Sequence, residues 1–428
     1  MYDIFSIPDF KFPENFLWGT STAGHQIEGN NIYSQNWADE LTRPVDDVYK
    51  PSGMACNHYN MVEEDISLMK ELEAPGYRMS IEWARIEPFE GQFSQEAIDH
   101  YLSELESLKK NGFKIFLTLH HFTHPLWFEK EGGFLKPENK KFFERYLEKI
   151  VPMVAPYVDS WNVFNEINAD TSYNAQMKKL AIMPYHALGY HIIKKYSDAP
   201  VSTAHAYIMF DPSRRYDKFD RAAADLLDCQ CNEFFFHAIR TGEVVVPGYG
   251  SYYDKSIKDT ADYWAINIYT RSMVDSRNAD FKGKRYDHKH LKLLPMDFYL
   301  DEFVPEVIIH QLSRLKDKPV YITENGFSGD DDWRIVYVTL YLNALHEAIR
   351  MGVDVKGYFY WSLMDNYEWS SFVPKFGLID VNFDTFERKF KDSAYFYRDI
   401  VRNNGLSQDI LTKYINKLPI IKNKGDLK

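Results

Sequence analysis

Two glutamates, Glu166 in Asn165-Glu166 and Glu324 in Thr323-Glu324-Asn325-Gly326, and a histidine cluster, His120, His121 and His124, are of types and spacing that could do chemistry. Each group follows a short run of β-branched or aromatic residues, which places it where a strand ends. Two carboxylates facing one ligand suit cleavage of a glycosidic bond. One protonates the leaving oxygen while the other attacks or stabilises the oxocarbenium-like carbon. Taken residue by residue, each glutamate could equally form a structural ion pair with a neighbouring Arg or Lys. The histidines could ligate a metal with water in the open position, giving a metal-dependent barrel hydrolase as the rival reading. Against that rival, His120 faces the other side of the chain, and no matching set of His or Asp ligands recurs at the other strand ends.

These groups can converge only if the strands that carry them share one sheet. Eight candidate strands alternate with helical patterns: Phe16 to Thr20, Gly76 to Glu82, Lys114 to His120, Ser160 to Asn165, Val201 to His205, Trp264 to Tyr269, Val320 to Glu324 and Val355 to Trp361. Between them, Tyr59 to Leu72 and Lys140 to Val151 show apolar residues at helical spacing. Eight such units predict an α/β fold, a single closed (β/α)8 TIM barrel with its active site at the C-terminal ends of the strands. No Gly-x-Gly-x-x-Gly follows any strand, so nothing points to a dinucleotide fold. Such a barrel needs about 250 residues, so the surplus must lie in loops and extra helices, where it suggests a deep pocket.

Composition narrows the classes further. With 45% hydrophobic and 26% charged residues among 428, the chain can bury a large core. A formal net charge of −12 would repel a polyanion, which argues against nucleic acid as a partner. Cys56, Cys229 and Cys231 are too few for a disulfide framework, no 18-residue apolar run exists, and Met1 to Phe10 lacks the features of a signal peptide. The expectation is a cytoplasmic protein with no membrane partner. No repeat or linker divides the sequence, so residues 1–428 read as one domain with a peripheral tail over 404–428. In that tail Ile410, Leu411, Tyr414 and Ile415 have helical spacing, whereas Lys422 to Lys428 is polar. The 16% of aromatic residues exceeds what packing needs, so some should face a ligand.

Ordered motifs carry a resemblance. Phe12-Pro13-Glu14-Asn15-Phe16-Leu17-Trp18-Gly19-Thr20, His25-Gln26-Ile27-Glu28-Gly29, Tyr77-Arg78-Met79-Ser80, Trp161-Asn162-Val163-Phe164-Asn165-Glu166, Tyr321-Ile322-Thr323-Glu324-Asn325-Gly326 and Tyr360-Trp361-Ser362-Leu363-Met364-Asp365-Asn366-Tyr367-Glu368-Trp369 resemble glycoside hydrolase family 1. The resemblance continues through Lys391-Asp392-Ser393-Ala394-Tyr395 and so spans nearly the whole chain. It implies a retaining β-glucosidase or β-glycosidase acting by double displacement, with Glu166 as general acid/base and Glu324 as nucleophile. Proximity of the two carboxyls would raise the pKa of Glu166. Arg78 matches the arginine beside the nucleophile, and Tyr269 the tyrosine that hydrogen-bonds it. Gln26, His121, Asn165, Trp361, Glu368 and Trp369 match the sugar-binding positions. Neither a cofactor nor a metal is implied.

Departures from the family pattern are local. Asn-Tyr-Tyr reads Asn267-Ile268-Tyr269, Asn-Glu-Pro reads Asn165-Glu166-Ile167, and His25 replaces the more common Tyr. Glu368 suits the 4- and 6-hydroxyls of a sugar and would repel a 6-phosphate, although Lys375 lies nearby in sequence. The implied substrate is a terminal unphosphorylated β-D-glucoside, with β-galactosides and β-fucosides also accepted. A transglycosylating β-glycosidase and a 6-phospho-β-glycosidase are the alternatives within the same family.

Overall fold

The computed structural model describes residues 4–283 and 303–415. Eight parallel strands close a barrel in chain order: β1 (Leu17–Ser21), β2 (Gly76–Ser80), β3 (Lys114–Thr118), β4 (Ser160–Asn165), β5 (Val201–Ala206), β6 (Trp264–Asn267), β7 (Val320–Asn325) and β8 (Val355–Trp361). Each strand pairs with its sequence neighbours, and β8 returns to β1 with Tyr358 opposite Trp18. These are the strands expected from sequence, with small differences at their C-terminal ends. β2 stops at Ser80 and β3 at Thr118, although Ile81 and Leu119 still donate to Thr118 O and Asn162 O of the neighbouring strands. β6 stops at Asn267, where its register against β7 shifts.

The barrel floor is an aromatic plug of Phe116, Tyr263 and Phe359 with Ala204 and Ala265. Gly19 leaves room for it: a Cβ there would lie 2.5 Å from the Phe359 ring. Above the plug the interior becomes polar, with Arg78, Asn165, Asn267 and Glu324 all buried. An apolar floor under polar upper layers concentrates charge at the mouth, where loops can shape a site.

Helices α1 (Val62–Leu72), α2 (Gln95–Lys110), α3 (Lys140–Val154), α4 (Tyr173–Tyr196), α5 (Phe234–Thr241), α6 (Glu306–Leu312), α7 (Asp331–Arg350) and α8 (Asp392–Asn403) cover the outside. α1 begins later than its periodicity suggests, because His58–Asn60 forms a separate 3-10 turn after Asn57, whose φ is +56°. Caps set several helix starts: Ser94 Oγ accepts from Ala97 N at 3.2 Å before α2, and Ser172 Oγ from Ala175 N at 3.4 Å before α4.

After α8, Gly405–Leu406 pairs antiparallel with Phe10–Lys11, and α9 (Gln408–Ile415) buries Leu411 and Ile415. The two ends of the described chain are thus stitched together at the barrel's edge. Lys422 to Lys428 lies outside the described residues. Among the described residues no helix is long and apolar enough to cross a membrane.

Candidate active site

A cavity of about 500 Å³ opens at the C-terminal ends of the strands, and Glu166 and Glu324 both line it. Their surroundings differ. Glu324, at the end of β7, is buried with 4% exposure and is held from two sides: an Arg78 guanidinium nitrogen donates to Oε1, and the Tyr269 hydroxyl to Oε2 at 2.7 Å. A guanidinium and a phenol thus hold both of its oxygens in place. Tyr269 itself stays a phenol, since burial and then the Glu324 charge push it well above its ordinary range. Its backbone is fixed by the Tyr341 hydroxyl, which donates to Tyr269 O at 2.7 Å.

Glu166 follows β4 with φ at +47°, and its N–H donates to Ala204 O at 2.7 Å. That bond aims the side chain into the cavity. The Asn267 amide donates to Glu166 Oε1 at 2.9 Å. Burial, then the charge of Glu324, pushes the Glu166 carboxyl up to about 8, against the lowering effect of Asn267. The direction agrees with the sequence reasoning, but burial outranks the neighbouring carboxylate as the cause. Glu166 is therefore tuned to carry a proton near neutrality, beside a second carboxyl held by a guanidinium and a phenol.

Arg78 also organises the pair. Its second nitrogen donates to Asn165 Oδ1 at 2.6 Å, which also accepts from Asn267 Nδ2 at 3.0 Å. Thr323 Oγ1 donates to Asn267 Oδ1 at 2.7 Å and closes the network. With its oxygen taken twice, Asn165 is left with a buried Nδ2 that has no partner among the described residues. Gln26 is the converse. Its Nε2 donates to Asn366 Oδ1 at 3.0 Å and Tyr367 O at 2.8 Å, leaving a buried Oε1 without a partner. His121 has a buried, unpartnered Nδ1 and is kept neutral by burial and by Arg78. All three line the cavity, so it presents both donors and acceptors to a polyhydroxylated ligand.

Trp361 and Trp369 supply the aromatic surface, each with its ring centroid 6.1 Å from that of His121 and close to parallel with it. Trp361 Nε1 donates to Glu368 Oε1 at 3.1 Å. Burial raises Glu368 to about 8; the Trp361 indole opposes that rise and the Glu324 charge adds to it. Gly326 permits this layer to close, because a Cβ there would lie 1.7 Å from Trp361 O. Lys375 is directed elsewhere: its Nζ is 3.9 Å from Asp365 Oδ2 and 4.5 Å above the Phe383 ring.

Every residue given a catalytic or sugar-binding role from sequence therefore borders this cavity or, as with Arg78, holds a residue that does. Three contributions were missed. Asn267 bonds Glu166, and its place at a strand end beside Tyr269 was the available signal. His25 stacks on Trp369 at 6.0 Å with an interplanar angle of 6°, and its Nε2 meets Glu40 Oε1 at 2.8 Å. The far wall, with Ile208, Thr270 and Ser272, comes from loops that carry no motif. The remaining histidines form a chain away from the cavity, His120 Nε2 to His124 Nδ1 at 3.1 Å and His124 Nε2 to Glu129 Oε2 at 2.9 Å. Among the described residues no group of three His, Cys, Asp or Glu side chains is placed to hold a metal ion.

Comparison with known proteins agrees with this geometry. The profile of Glycosyl hydrolase family 1 matches residues 9–406. The 1,4-beta-D-glucan glucohydrolase of Thermotoga neapolitana is 28% identical over 445 residues, covering 93% of this chain and 99% of that protein. A beta-galactosidase of Sulfolobus acidocaldarius is 28% identical over 496 residues, covering 96% of this chain and 99% of that protein. Among solved structures, the beta-glycosidase from Pyrococcus horikoshii superposes with a TM-score of 0.84 at 34% identity, covering 96% of this chain and 99% of that one.

Proposed function

The chain belongs to glycosyl hydrolase family 1, and from that premise we propose that Glu324 is its nucleophile and Glu166 its general acid/base. The activity is that of a β-glycosidase working by double displacement with retention of configuration. In the first step a Glu324 oxygen attacks the anomeric carbon while Glu166 gives its proton to the leaving oxygen. Forming the glycosyl ester removes the charge on Glu324. The carboxyl of Glu166, now relieved of that neighbour, drops in pKa and takes a proton from the attacking water.

Arg78 and Tyr269 fix the plane of the nucleophile, each bonding one of its oxygens. Asn165 Nδ2 is offered to the sugar 2-hydroxyl, where a hydrogen bond strengthens as positive charge grows on the ring. Gln26, His121 and Glu368 grip the remaining hydroxyls, and Trp361 and Trp369 receive the C–H faces. A terminal β-D-glucoside without a phosphate is the substrate class that this set favours, with galactosides and fucosides accepted. Glu368, bonded by the Trp361 indole, brings no cation to a 6-phosphate, and Lys375 is turned away from the cavity. The three free thiols fit a reducing, cytoplasmic setting.

The observation that carries this assignment is the asymmetry of the two carboxyls, one held by a guanidinium and a phenol, the other raised to about 8. The test is nitrophenol release from β-glucoside, β-galactoside, β-fucoside and 6-phospho-β-glucoside, with Glu324→Gly and Glu166→Gln alongside. The unphosphorylated sugars are expected to turn over, and azide to rescue Glu324→Gly with formation of the inverted α-glycosyl azide. Turnover of the phospho-sugar alone would overturn the role given to Glu368, and a retained azide product that given to Glu324.

A further inference from the structure

A second cavity of about 300 Å³ adjoins the first and shares Phe122, Asn165, Glu166 and Ala169 with it. The Glu166 side chain thus has open space on two sides. A leaving group must sit against the carboxyl that protonates it, so this second space is placed to receive one. Its walls are largely apolar, with Phe122, Leu135, Ile167 and Ile182, and one cation enters it, Lys178 of α4.

Lys178 makes no ion pair or hydrogen bond among the described residues, and its Nζ lies 5.6 Å from the Phe134 ring centroid. Burial disfavours its charged form, Glu129 and Asp170 oppose that from beyond ion-pair distance, and a ligand anion would supply the direct partner it lacks. His120, 3% exposed, lines the same space. Glu129 accepts from His124 Nε2, so His124 Nδ1 must accept from His120 Nε2–H. His120 Nδ1 is then a bare acceptor, buried and without a partner among the described residues. Besides Glu166, the carboxyl on the cavity wall is that of Asp170, which is exposed and whose oxygens take Ser172 N at 2.8 Å and Ser172 Oγ at 2.9 Å.

We propose that this cavity binds aglycones that are apolar or aromatic carboxylic acids, with the carboxylate seated on Lys178. A single ammonium, already partly offset by Glu129 and Asp170, can seat one carboxylate but would leave a phosphate dianion far from neutralised. His120 Nδ1 offers an acceptor to a further hydroxyl on the same aglycone. The inference rests on Glu166 being the proton donor to the leaving oxygen.

The test compares 4-(carboxymethyl)phenyl β-D-glucoside with its methyl ester, in which the methylene keeps the two phenols similar as leaving groups. The acid-to-ester ratio of kcat/KM should favour the acid in the wild type and fall by about tenfold or more in Lys178→Met, the size of one charge-assisted hydrogen bond. Lys178→Arg should keep most of the preference. An equal effect of Lys178→Met on acid and ester would overturn the proposal while leaving hydrolysis intact. Should the variants not fold, product inhibition of the wild type decides: 4-hydroxyphenylacetate should compete more tightly than its methyl ester and weaken with added sodium chloride, and equal inhibition by the two would refute the site. Failure of the wild type on every aryl β-glucoside would overturn the hydrolytic reading itself, and this one with it.

Discussion

Replacing Glu166 by Gln removes the proton but keeps the shape and the bond from Asn267, so its effect should depend on how badly the leaving group needs that proton. Positioned general acids contribute on the order of 10²–10⁴-fold. A loss of that size is expected in kcat/KM for an alkyl β-glucoside, and a small loss in the first step for a dinitrophenyl β-glucoside, whose phenolate leaves unaided. The second step also needs Glu166, so the dinitrophenyl substrate should show a burst and then slow turnover. Azide should accelerate that phase and yield the retained β-glycosyl azide. The carboxyl sits at about 8 in the free protein. About nine-tenths of it is therefore protonated near pH 7 and about one-tenth near pH 9, so wild-type kcat/KM for the alkyl substrate should fall about tenfold across that range. Glu368 lies at about 8 as well, but its ionisation would strengthen its acceptance of sugar hydroxyls and so act with the opposite sign. Equal losses for both substrates, or an alkaline limb that survives in Glu166→Gln and vanishes in Glu368→Gln, would refute the assignment.

Two further substitutions probe the supports. Arg78→Met leaves Glu324 buried beside no cation, which should cost about 3–5 kcal/mol in urea unfolding. It should also lower kcat more than it changes KM, because the nucleophile loses the contact that orients it. Gly326→Ala forces a methyl against Trp361 O, where a Cβ would lie 1.7 Å away. Overpacking of this kind costs about 1–3 kcal/mol or more, and it should appear both as a lower thermal midpoint and as a raised KM, since Trp361 forms the sugar surface.

The barrel and the catalytic pair were legible in the sequence because both depend on local patterns. The eight strands are short apolar runs between polar loops, and their boundaries differ by a residue or two, β2, β3 and β6 ending earlier and β1, β5 and β7 a residue later than expected. Ile81, Leu119 and Ile268 look like strand residues and still bond across to the neighbouring strands, but lie past the ends of β2, β3 and β6. Glu166 and Glu324 were visible because each terminates its own strand. What the sequence did not show lies between remote segments. The stack of His25 on Trp369 joins residues 344 positions apart by their numbers, and neither residue's neighbours announce it. Lys178 is likewise one lysine in the helical run Met177-Lys178-Lys179, and only the closing of α4 over Ile167 shows that it faces a cavity.

The site's charges also explain why its polar residues come as amides. Three carboxyls, Glu166, Glu324 and Glu368, share one small volume with Arg78 as the guanidinium that touches the nucleophile. Full ionisation of all three would leave the cavity strongly negative, so burial and mutual repulsion keep Glu166 and Glu368 largely protonated near neutrality. Asn165, Asn267 and Gln26 connect them without adding charge. Asn267 is bonded at both ends of its amide, whereas Asn165 and Gln26 are oriented by bonds at one end and keep the other buried and unspent. Buried amide groups held unpartnered cost folding free energy that a sugar's hydroxyls would return on binding. Binding energy stored in this way is specific for a ligand that supplies both donors and acceptors around its rim. The same arrangement discourages an apolar or phosphorylated occupant of the glycone side, while the apolar cavity beyond Glu166 remains free to select a chemically different aglycone.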